Sequence, residues 1–510
     1  MTLVWVIGLK RKKGEKMTNK FNLVDEPWIP VAGKGLVSLA DIFSDAGLSA
    51  LGGNPVQKIA LTKLLLAIAQ TAYTPKDDED WKNLGASGMA QKALAYLTAK
   101  KDLFWLYGEK PFLQMPAIAK AEVQSFGAVQ VSVATGNTTV LTQSQMEVSL
   151  TDAEKAILVV QMMGFGLGGK KTDNSAVLSS GYQNKSNDKG KPSTGKPGPS
   201  IGFCGFLHSF LQGTYLQETL WLNFLTKENM EELKIFPEGF GSPPWEKMPQ
   251  GEDCPQAKSL KNSYMGRLIP VSRFVLLTEE GIHYSEGIAH QGYAGGIVDA
   301  SVAVNFSTSK PKVLWADTEK RPWRQLPALL SFFGSEKKGM FDCLQLRLGI
   351  PRAKKFLAEF GLWSGGLRVS SNAGEQYVSG TDDFVESEIQ LSAASLGDIW
   401  FAKLKHEMDD LDGLSKIVYS ATIGFFKVQK SEGKNQAAQA SNLFWQLCER
   451  KFQELVNACN DDSGKEVEKL RAVFAGFVNK AYNTYCPKDT ARQLDAWAAN
   501  CPNLVKYLAE

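Results

Sequence analysis

The segment SLGDIWFAKLKHEMDDLDGLSKIVYSATIGFFKVQ, residues 395–429, decides the fold class of the C-terminal part of this chain. Its apolar side chains recur three or four residues apart, which places them on one face of a helix. That face consists of Leu404, Met408, Leu411, Leu414, Val418, Ala421 and Phe425. Segments with the same spacing follow near residues 436–459, 465–482 and 489–508, joined by short polar breaks. Because four such helices bury their apolar faces most simply when they pack antiparallel, we predict a four-helix bundle over residues 391–510.

The chain before residue 391 has a mixed pattern. Residues 54–73 have helical periodicity, residues 271–277 are typical of a short strand, and residues 322–333 are typical of short helices. The sequence therefore predicts an α+β fold, in which a large mixed N-terminal domain over residues 17–390 is followed by the C-terminal four-helix bundle.

Two segments are expected to lie outside the packed core. Residues 1–16 precede a second methionine and place their apolar stretch before their charges, the reverse of a signal peptide. We expect a disordered extension there, and a basic nucleic-acid arm is the alternative. Residues 170–200 are rich in Gly, Ser, Asn and Pro and hold six lysines against two aspartates, so we expect a mobile loop.

Composition excludes several classes of protein. The 510 residues are 44% hydrophobic and 22% charged, too apolar for a disordered chain, and the net charge of +3 excludes a polybasic nucleic-acid coat. Residues 391–510 carry 15 positive and 15 negative side chains, so any polyanion site must be local and lie upstream. The seven cysteines form no C-x-x-C and no apolar run reaches about 20 residues, which favours a cytoplasmic protein with reduced thiols and no membrane segment.

The segment GFGLGGKK, residues 164–171, matches parts of two phosphate-binding motifs. Both motifs require a strand before the glycines and a helix after them. Here Thr151 and Glu154 fit a capping box that opens a helix before the glycines, and a polar loop follows. We weigh three interpretations: a nucleotide site, a simple helix end, and a glycine-rich loop whose backbone approaches nucleic-acid phosphates, the last of which fits best. Its residues are Gly164, Gly166, Gly168, Gly169, Lys170 and Lys171.

No set of residues requires catalysis. The four histidines form no pair at metal-ligand spacing, and the carboxylate runs 382–388 and 407–412 are more typical of solvated faces or helix caps than of acid–base pairs. We predict no catalytic residue, no metal and no cofactor. Residues 366–380, GLRVSSNAGEQYVSG, are typical of a hairpin with strands 367–371 and 376–380.

The opening segment FNLVDEPWIPV, residues 21–31, followed by Val37-Ser38-Leu39 and an apolar helix, resembles the start of the CasA family. That family is the large subunit of the type I-E CRISPR surveillance complex, Cascade. The order of the parts agrees over everything after Met17, and the GEQYVSG-type hairpin agrees as well. The resemblance implies a non-enzymatic subunit that recognises the protospacer-adjacent motif from the minor groove and promotes strand separation and R-loop formation. It implies as partners the other Cascade subunits, CRISPR RNA, target double-stranded DNA and a helicase–nuclease.

The resemblance also implies which residues bind DNA. The uncharged loop TGNTTVLTQ resembles the family's motif-reading loop, the glycine-rich segment 164–171 matches in place and composition, and the hairpin resembles the wedge that splits the first base pairs. A lysine finger of some members has no counterpart between residues 262 and 309, so either Arg267, Arg273 or His290 replaces it or this protein reads a different motif. The candidates in the loop are Asn137, Thr138, Thr139, Val140, Leu141 and Thr142, and those at the wedge tip are Asn372, Ala373, Gly374, Glu375 and Gln376.

Two other functions stay open on the residues alone. The first is a nucleotide-dependent enzyme that uses residues 164–171. The second is an interaction protein that acts through its helical bundle and has no role with nucleic acid.

Overall fold

The N-terminal part is organised around one long buried helix. The computed structural model describes residues 19–130, 148–166, 176–179, 205–290, 298–334, 339–368, 384–461 and 463–509. Helix Pro55–Ala72 begins with a capping box, in which Asn54 and Gln57 each accept the other's backbone N–H, and nearly all its residues are buried. The predicted helix over residues 54–73 is confirmed. The elements up to residue 166 are strands β1 Lys20–Asn22, β2 Ile29–Val31 and β3 Gly35–Val37, helices α1 Leu39–Ser44, α2 Pro55–Ala72 and α3 Asp78–Ala99, strands β4 Trp105–Tyr107 and β5 Val123–Gln124, and helices α4 Phe126–Val129 and α5 Asp152–Gly164.

Among the described residues, two three-stranded antiparallel sheets pack with these helices, beside three two-stranded ones, β1-β4, β2-β3 and β9-β10. One three-stranded sheet has the strand order β12-β11-β6 and the other β5-β8-β7. In the first sheet, Trp363 lies opposite Glu388 on one side and opposite Phe210 on the other. The elements between residues 205 and 392 are β6 His208–Gln212, α6 Leu216–Leu222, α7 Lys227–Leu233, α8 Pro255–Lys261, α9 Met265–Leu268, β7 Arg273–Leu277, β8 Ile282–Glu286, β9 Val304–Asn305, β10 Lys312–Val313, α10 Leu326–Leu329, α11 Leu344–Phe356, β11 Glu359–Leu367 and β12 Phe384–Ser392. The strand predicted near 271–277 and the short helical turns near 322–333 are confirmed.

The C-terminal part is helical, as predicted, and the α+β fold class is confirmed. The helix of the first predicted segment packs against helices of the second, third and fourth predicted segments. The second and fourth predicted segments are each broken into two helices, and Pro502, which has no N–H to donate, lies in the second break. The helices are α12 Asp398–Val428, α13 Lys434–Glu449, α14 Phe452–Ala458, α15 Lys465–Tyr485, α16 Ala491–Ala499 and α17 Val505–Ala509.

The helical region shares its apolar core with the mixed region. Trp323 packs against Trp445 and Phe452, with ring centroids 5.8 and 4.6 Å away. The guanidinium of Arg324 lies 3.6 Å from the ring centroid of Trp445, at cation–π distance. The domain boundary at residues 390/391 stays a prediction, and the connection between β12 and α12 spans residues 393–397.

The predicted extension over residues 1–16 and most of the predicted mobile loop lie outside the described residues. The exception is 176–179, where the backbone N–H groups of Leu178 and Ser179 donate to the buried carboxylate of Glu252 at 3.1 and 2.7 Å. This short part of the predicted loop is therefore anchored. Among the described cysteines, four are buried, one is half-buried and one is exposed, and none forms a disulfide.

Candidate nucleic-acid interface

The glycine-rich segment begins where α5 ends. Thr151 and Glu154 form the predicted capping box, with the Thr151 backbone N–H donating to Glu154 at 2.8 Å and the Glu154 N–H donating to Thr151 Oγ1 at 3.3 Å. The helix runs to Gly164, and the Phe165 N–H donates to the Gln161 carbonyl as the last helical bond. A helix therefore precedes the glycines, which is not the strand that a nucleotide-binding loop requires.

Gly166 lies in a space too small for any side chain. A Cβ atom there would lie 2.8 Å from Arg273 Cγ, 2.9 Å from Arg273 Nε and 3.1 Å from the Tyr284 hydroxyl. The first two distances are shorter than real Cβ contacts. The glycine is needed because a side chain would not fit, not because of its backbone conformation, which is outside the left-handed region. Among the glycines predicted to let the backbone approach DNA, at least Gly166 is therefore required for packing against Arg273.

Arg273 is held on several sides. Its Nη1 donates to the Ser272 carbonyl at 2.9 Å and to Glu286 at 3.2 Å, and its Nε donates to the Tyr284 hydroxyl at 3.0 Å. Only 3% of Arg273 is exposed. The Ser272 N–H also donates to the Met163 carbonyl at 2.8 Å, which ties the start of β7 to the end of α5. We name Arg273, Tyr284 and Glu286 the arginine clamp.

Most of the other predicted DNA-binding residues lie outside the described part of the chain. These are Gly168, Gly169, Lys170 and Lys171 of the glycine-rich segment, all candidates from Asn137 to Thr142, and all wedge-tip candidates from Asn372 to Gln376. Strands β11 and β12 pair over nine residues on either side of the predicted hairpin, from Glu359 opposite Ser392 to Leu367 opposite Phe384. Of the predicted hairpin strands, Leu367 and Arg368 are described, and Leu367 is the last residue of β11; the rest lie outside the described part of the chain.

A polar cleft of about 140 Å³ lies between α2 and α5, beside the ends of the predicted motif-reading loop. Amides dominate its polar lining, which includes Asn54, Gln57, Gln130 and Gln161. Gln161 is only 5% exposed, so its side-chain amide belongs to the buried wall of the cleft. These amides have no recognisable pattern in the sequence, because isolated glutamines on two helices carry no spacing signal.

The three candidate substitutes for the lysine finger are buried. Arg267, Arg273 and His290 are 1%, 3% and 4% exposed. The His290 ring nitrogen Nε2 lies 2.7 Å from the Pro270 carbonyl, and burial followed by the charge of Arg267 holds the pKa of His290 well below its usual range. Neither an arginine clamped in the interior nor a neutral buried histidine reaches into a DNA groove, so the suggestion that one of them replaces the finger is not supported.

A buried ion pair lies behind the end of α5. Lys63 on α2 donates to Asp299, and its ammonium also lies 6.0 Å from the ring centroid of Phe165. Burial raises the pKa of the Asp299 carboxyl, but the charge and hydrogen bond of Lys63, together with His208 and Ser301, lower it by more, so this pKa lies below its usual value. Burial, reinforced by Lys63, lowers the pKa of the neighbouring His208 to about 3, so this histidine is neutral at pH 7. The pair anchors the scaffold that holds the glycine-rich segment.

A group of possible metal ligands occurs on the helical region. His406, Glu407 and Asp410 each offer a ligand atom within 4.8 Å of the others. Arg471 already occupies this place, because its Nη2 donates to Glu407 at 2.6 Å and lies 3.6 Å from Asp410. Because the guanidinium of Arg471 already binds both carboxylates, a second cation would be repelled by its charge, so we interpret the group as an ion-pair network.

Comparisons with known proteins agree with this architecture. The family model of CRISPR-associated protein Cse1 matches residues 22–483. The CasA/Cse1 protein of Thermus thermophilus is 33% identical over 164 residues, which is 29% of this chain and 32% of that protein, so the match spans about a third of this curated relative. None of the described helices is both long and apolar enough to cross a membrane.

Solved structures share the fold over almost the whole chain. Thermus thermophilus CasA (Cse1) superposes with a TM-score of 0.71 at 20% identity, covering 96% of this chain and 100% of the other. Thermobifida fusca Cse1 gives 0.70 at 18% identity, with 96% and 97% covered. A chain of a CRISPR RNA-guided surveillance complex gives 0.65 at 14% identity, with 96% and 99% covered. At these identities the likeness shows the fold alone, whereas the family model covers most of the sequence: this chain belongs to the CRISPR-associated Cse1 (CasA) family.

Proposed function

We propose that this protein is the non-catalytic large subunit of a type I-E CRISPR RNA-guided surveillance complex. The observation that carries the proposal is the family match over residues 22–483, which leaves little of the chain unaccounted for. A structurally similar chain belongs to a complex described as RNA-guided. The partners in the proposal are CRISPR RNA and the other Cascade subunits, and the place of action is the cytoplasm.

Within the complex, the proposed task is to recognise the protospacer-adjacent motif in double-stranded DNA. The minor groove offers a degenerate pattern of acceptors, so short polar side chains and backbone groups suit a relaxed reading of several related motifs. The proposed contacts are the glycine-rich segment from Gly164 to Lys171 and the loop residues from Asn137 to Thr142. The arginine clamp supports this role, because it holds Gly166 against a buried and hydrogen-bonded surface.

The second proposed task is to separate the strands and start the R-loop. A wedge requires a stiff base, and the nine-residue antiparallel pairing of β11 with β12 provides one directly before and after the segment with the proposed tip, Asn372 to Gln376. Separating and unstacking a base step costs a few kcal/mol, which polar tip residues would offset by contacting the freed bases. Guide pairing then reads the sequence.

The third proposed task is to dock the helicase–nuclease that destroys the target. The helical region supports a protein-docking role because its 15 positive and 15 negative side chains leave no net attraction for a polyanion. The proposal includes no cofactor and no chemistry by this chain.

The proposal is tested with the assembled complex and duplexes that differ only in the candidate motif. We expect motif-dependent binding, and we expect the double variant Asn372→Ala plus Gln376→Ala to slow strand separation, measured with a fluorescent base beside the motif. The matched control is Asn435→Ala plus Gln439→Ala on α13, two exposed amides far along the chain from the hairpin. A double variant that unwinds at the control's rate, or a protein that never joins CRISPR RNA, contradicts the proposal.

The nucleotide-dependent enzyme is less well supported, since α5 occupies the position before the glycines where both nucleotide motifs need a strand.

A further inference from the structure

A pocket of about 270 Å³ lies where α2, β6, the start of α6 and the strands β11 and β12 meet. Its apolar side consists of Leu51, Leu211 and Leu216 with the rings of Phe210 and Trp363. The two rings lie with centroids 6.3 Å apart and planes 29° from parallel. The pocket thus has an apolar side that includes the Phe210 and Trp363 rings.

The charges at the rim of the pocket are unequal. Lys58 Nζ lies 2.7 Å from Glu386 Oε2, and the Trp363 indole N–H donates to the same oxygen at 3.0 Å. Glu388 is exposed and accepts from its neighbour Gln390 at 3.0 Å, and within the described residues it has no cationic partner. One lysine against two glutamates leaves the lining with one negative charge.

We propose that this pocket binds an arginine side chain presented by another subunit of the surveillance complex. An arginine has a methylene stem that suits the apolar side of the pocket and a planar guanidinium that stacks on an indole and binds a carboxylate through two parallel hydrogen bonds. Trp363 and Glu388 lie opposite each other on neighbouring strands and provide both features. The net negative charge disfavours a nucleic-acid phosphate.

This inference rests on the proposed role as a complex subunit and adds a specific protein contact to it. It does not depend on DNA recognition. Because β11 and β12 also lead into the proposed wedge, an arginine bound between them would fix the base of the wedge to a neighbouring subunit.

The test measures the affinity of the purified large subunit for the rest of the assembled complex, which contains CRISPR RNA. Glu388→Gln removes the charge at almost constant shape, and we expect about tenfold weaker binding. Glu232→Gln, an exposed glutamate on α7, is the matched control and should bind like the wild type. Thermal melting of each variant verifies that the fold is retained.

A photo-reactive benzoylphenylalanine at Ala50, on the wall of the pocket, identifies the occupant. We expect a cross-linked peptide that contains an arginine. Changing that arginine to glutamate should then restore binding to Glu388→Lys, a charge exchange that general destabilisation would not produce.

The outcomes separate this inference from the proposed function. If the wild-type protein does not bind the other subunits, the proposed function fails. If it binds and Glu388→Gln binds equally well, or the cross-link falls on RNA, DNA or a peptide without arginine, only the arginine pocket is overturned.

Discussion

Gly166→Ala is the sharpest test of how the structure positions the glycine-rich segment. The added methyl group would lie 2.8 Å from Arg273 Cγ and 2.9 Å from Arg273 Nε. Arg273 cannot move away easily, because Ser272, Tyr284 and Glu286 hold its guanidinium in the interior. Overpacking of this kind typically costs about 1–3 kcal/mol. We therefore expect the free energy of unfolding to fall by about that amount.

The matched control is Gly413→Ala on α12, where an added Cβ has no atom within 4 Å. Alanine in an open helical position is more stable than glycine by about 0.5–1 kcal/mol. Urea unfolding of both variants should thus give changes of opposite sign. Hydrogen exchange of the Ser272 amide adds a local reading, since its bond to the Met163 carbonyl joins the clamp to α5.

The double variant Gly166→Ala plus Arg273→Ala decides whether the clamp is the cause. Removing the arginine side chain makes room for the methyl group, so the two effects should be less than additive. In the assembled complex, Gly166→Ala should weaken motif-dependent DNA binding about tenfold for each 1.4 kcal/mol of strain that moves into the glycine-rich segment. Equal unfolding energies for Gly166→Ala and Gly413→Ala, with unchanged exchange at Ser272, would refute the reasoning.

Three further outcomes are expected. Asp299→Asn leaves the buried ammonium of Lys63 without its carboxylate and should reduce the free energy of unfolding by about 3–5 kcal/mol, whereas Lys63→Met plus Asp299→Leu should recover much of it in urea unfolding. His208 has a folded-state pKa of about 3 against 6.5 for the free side chain, so protons favour the unfolded state and stability should fall by about 1.4 kcal/mol per pH unit as the pH drops from 6.5 towards 3; urea unfolding at several pH values measures the slope, and His208→Gln should remove this contribution. Calorimetry with ATP and with NAD should show no binding, and micromolar binding that Lys170→Ala abolishes would restore the nucleotide-dependent enzyme as a candidate.

Local signals made the helices predictable. The capping box at Thr151 and Glu154 placed the start of α5, and the apolar spacing from Leu404 to Phe425 placed α12 within three residues at either end. Both signals depend on residues one or two helical turns apart, so they can be recognised in the sequence alone. The breaks inside the second and fourth C-terminal segments were missed, because apolar spacing continues across them.

Long-range contacts between charged residues were not predictable. Lys63 and Asp299 are 236 positions apart, and the clamp joins a strand residue to the end of a helix more than a hundred residues earlier. A lysine inside an apolar helix is a visible anomaly, but its partner has no spacing signal. Arg273 illustrates the consequence. As a cation between residues 262 and 309 it was a candidate for entering the DNA minor groove, whereas its burial gives it a positioning role.

The small net charge constrains how such a subunit can meet DNA. The cations Lys63, Arg273 and Arg471 are buried or nearly so and pair with carboxylates, so they add nothing to a surface potential. The excess of positive over negative side chains is small, and non-specific affinity for DNA rises with the number of phosphates that positive side chains neutralise. A subunit of this kind would therefore bind duplex DNA weakly alone and release incorrect sites quickly. In the proposed function, partners supply most phosphate contacts, and the glycine-rich segment, whose Gly166 packs against the arginine clamp, contributes discrimination between motifs rather than affinity.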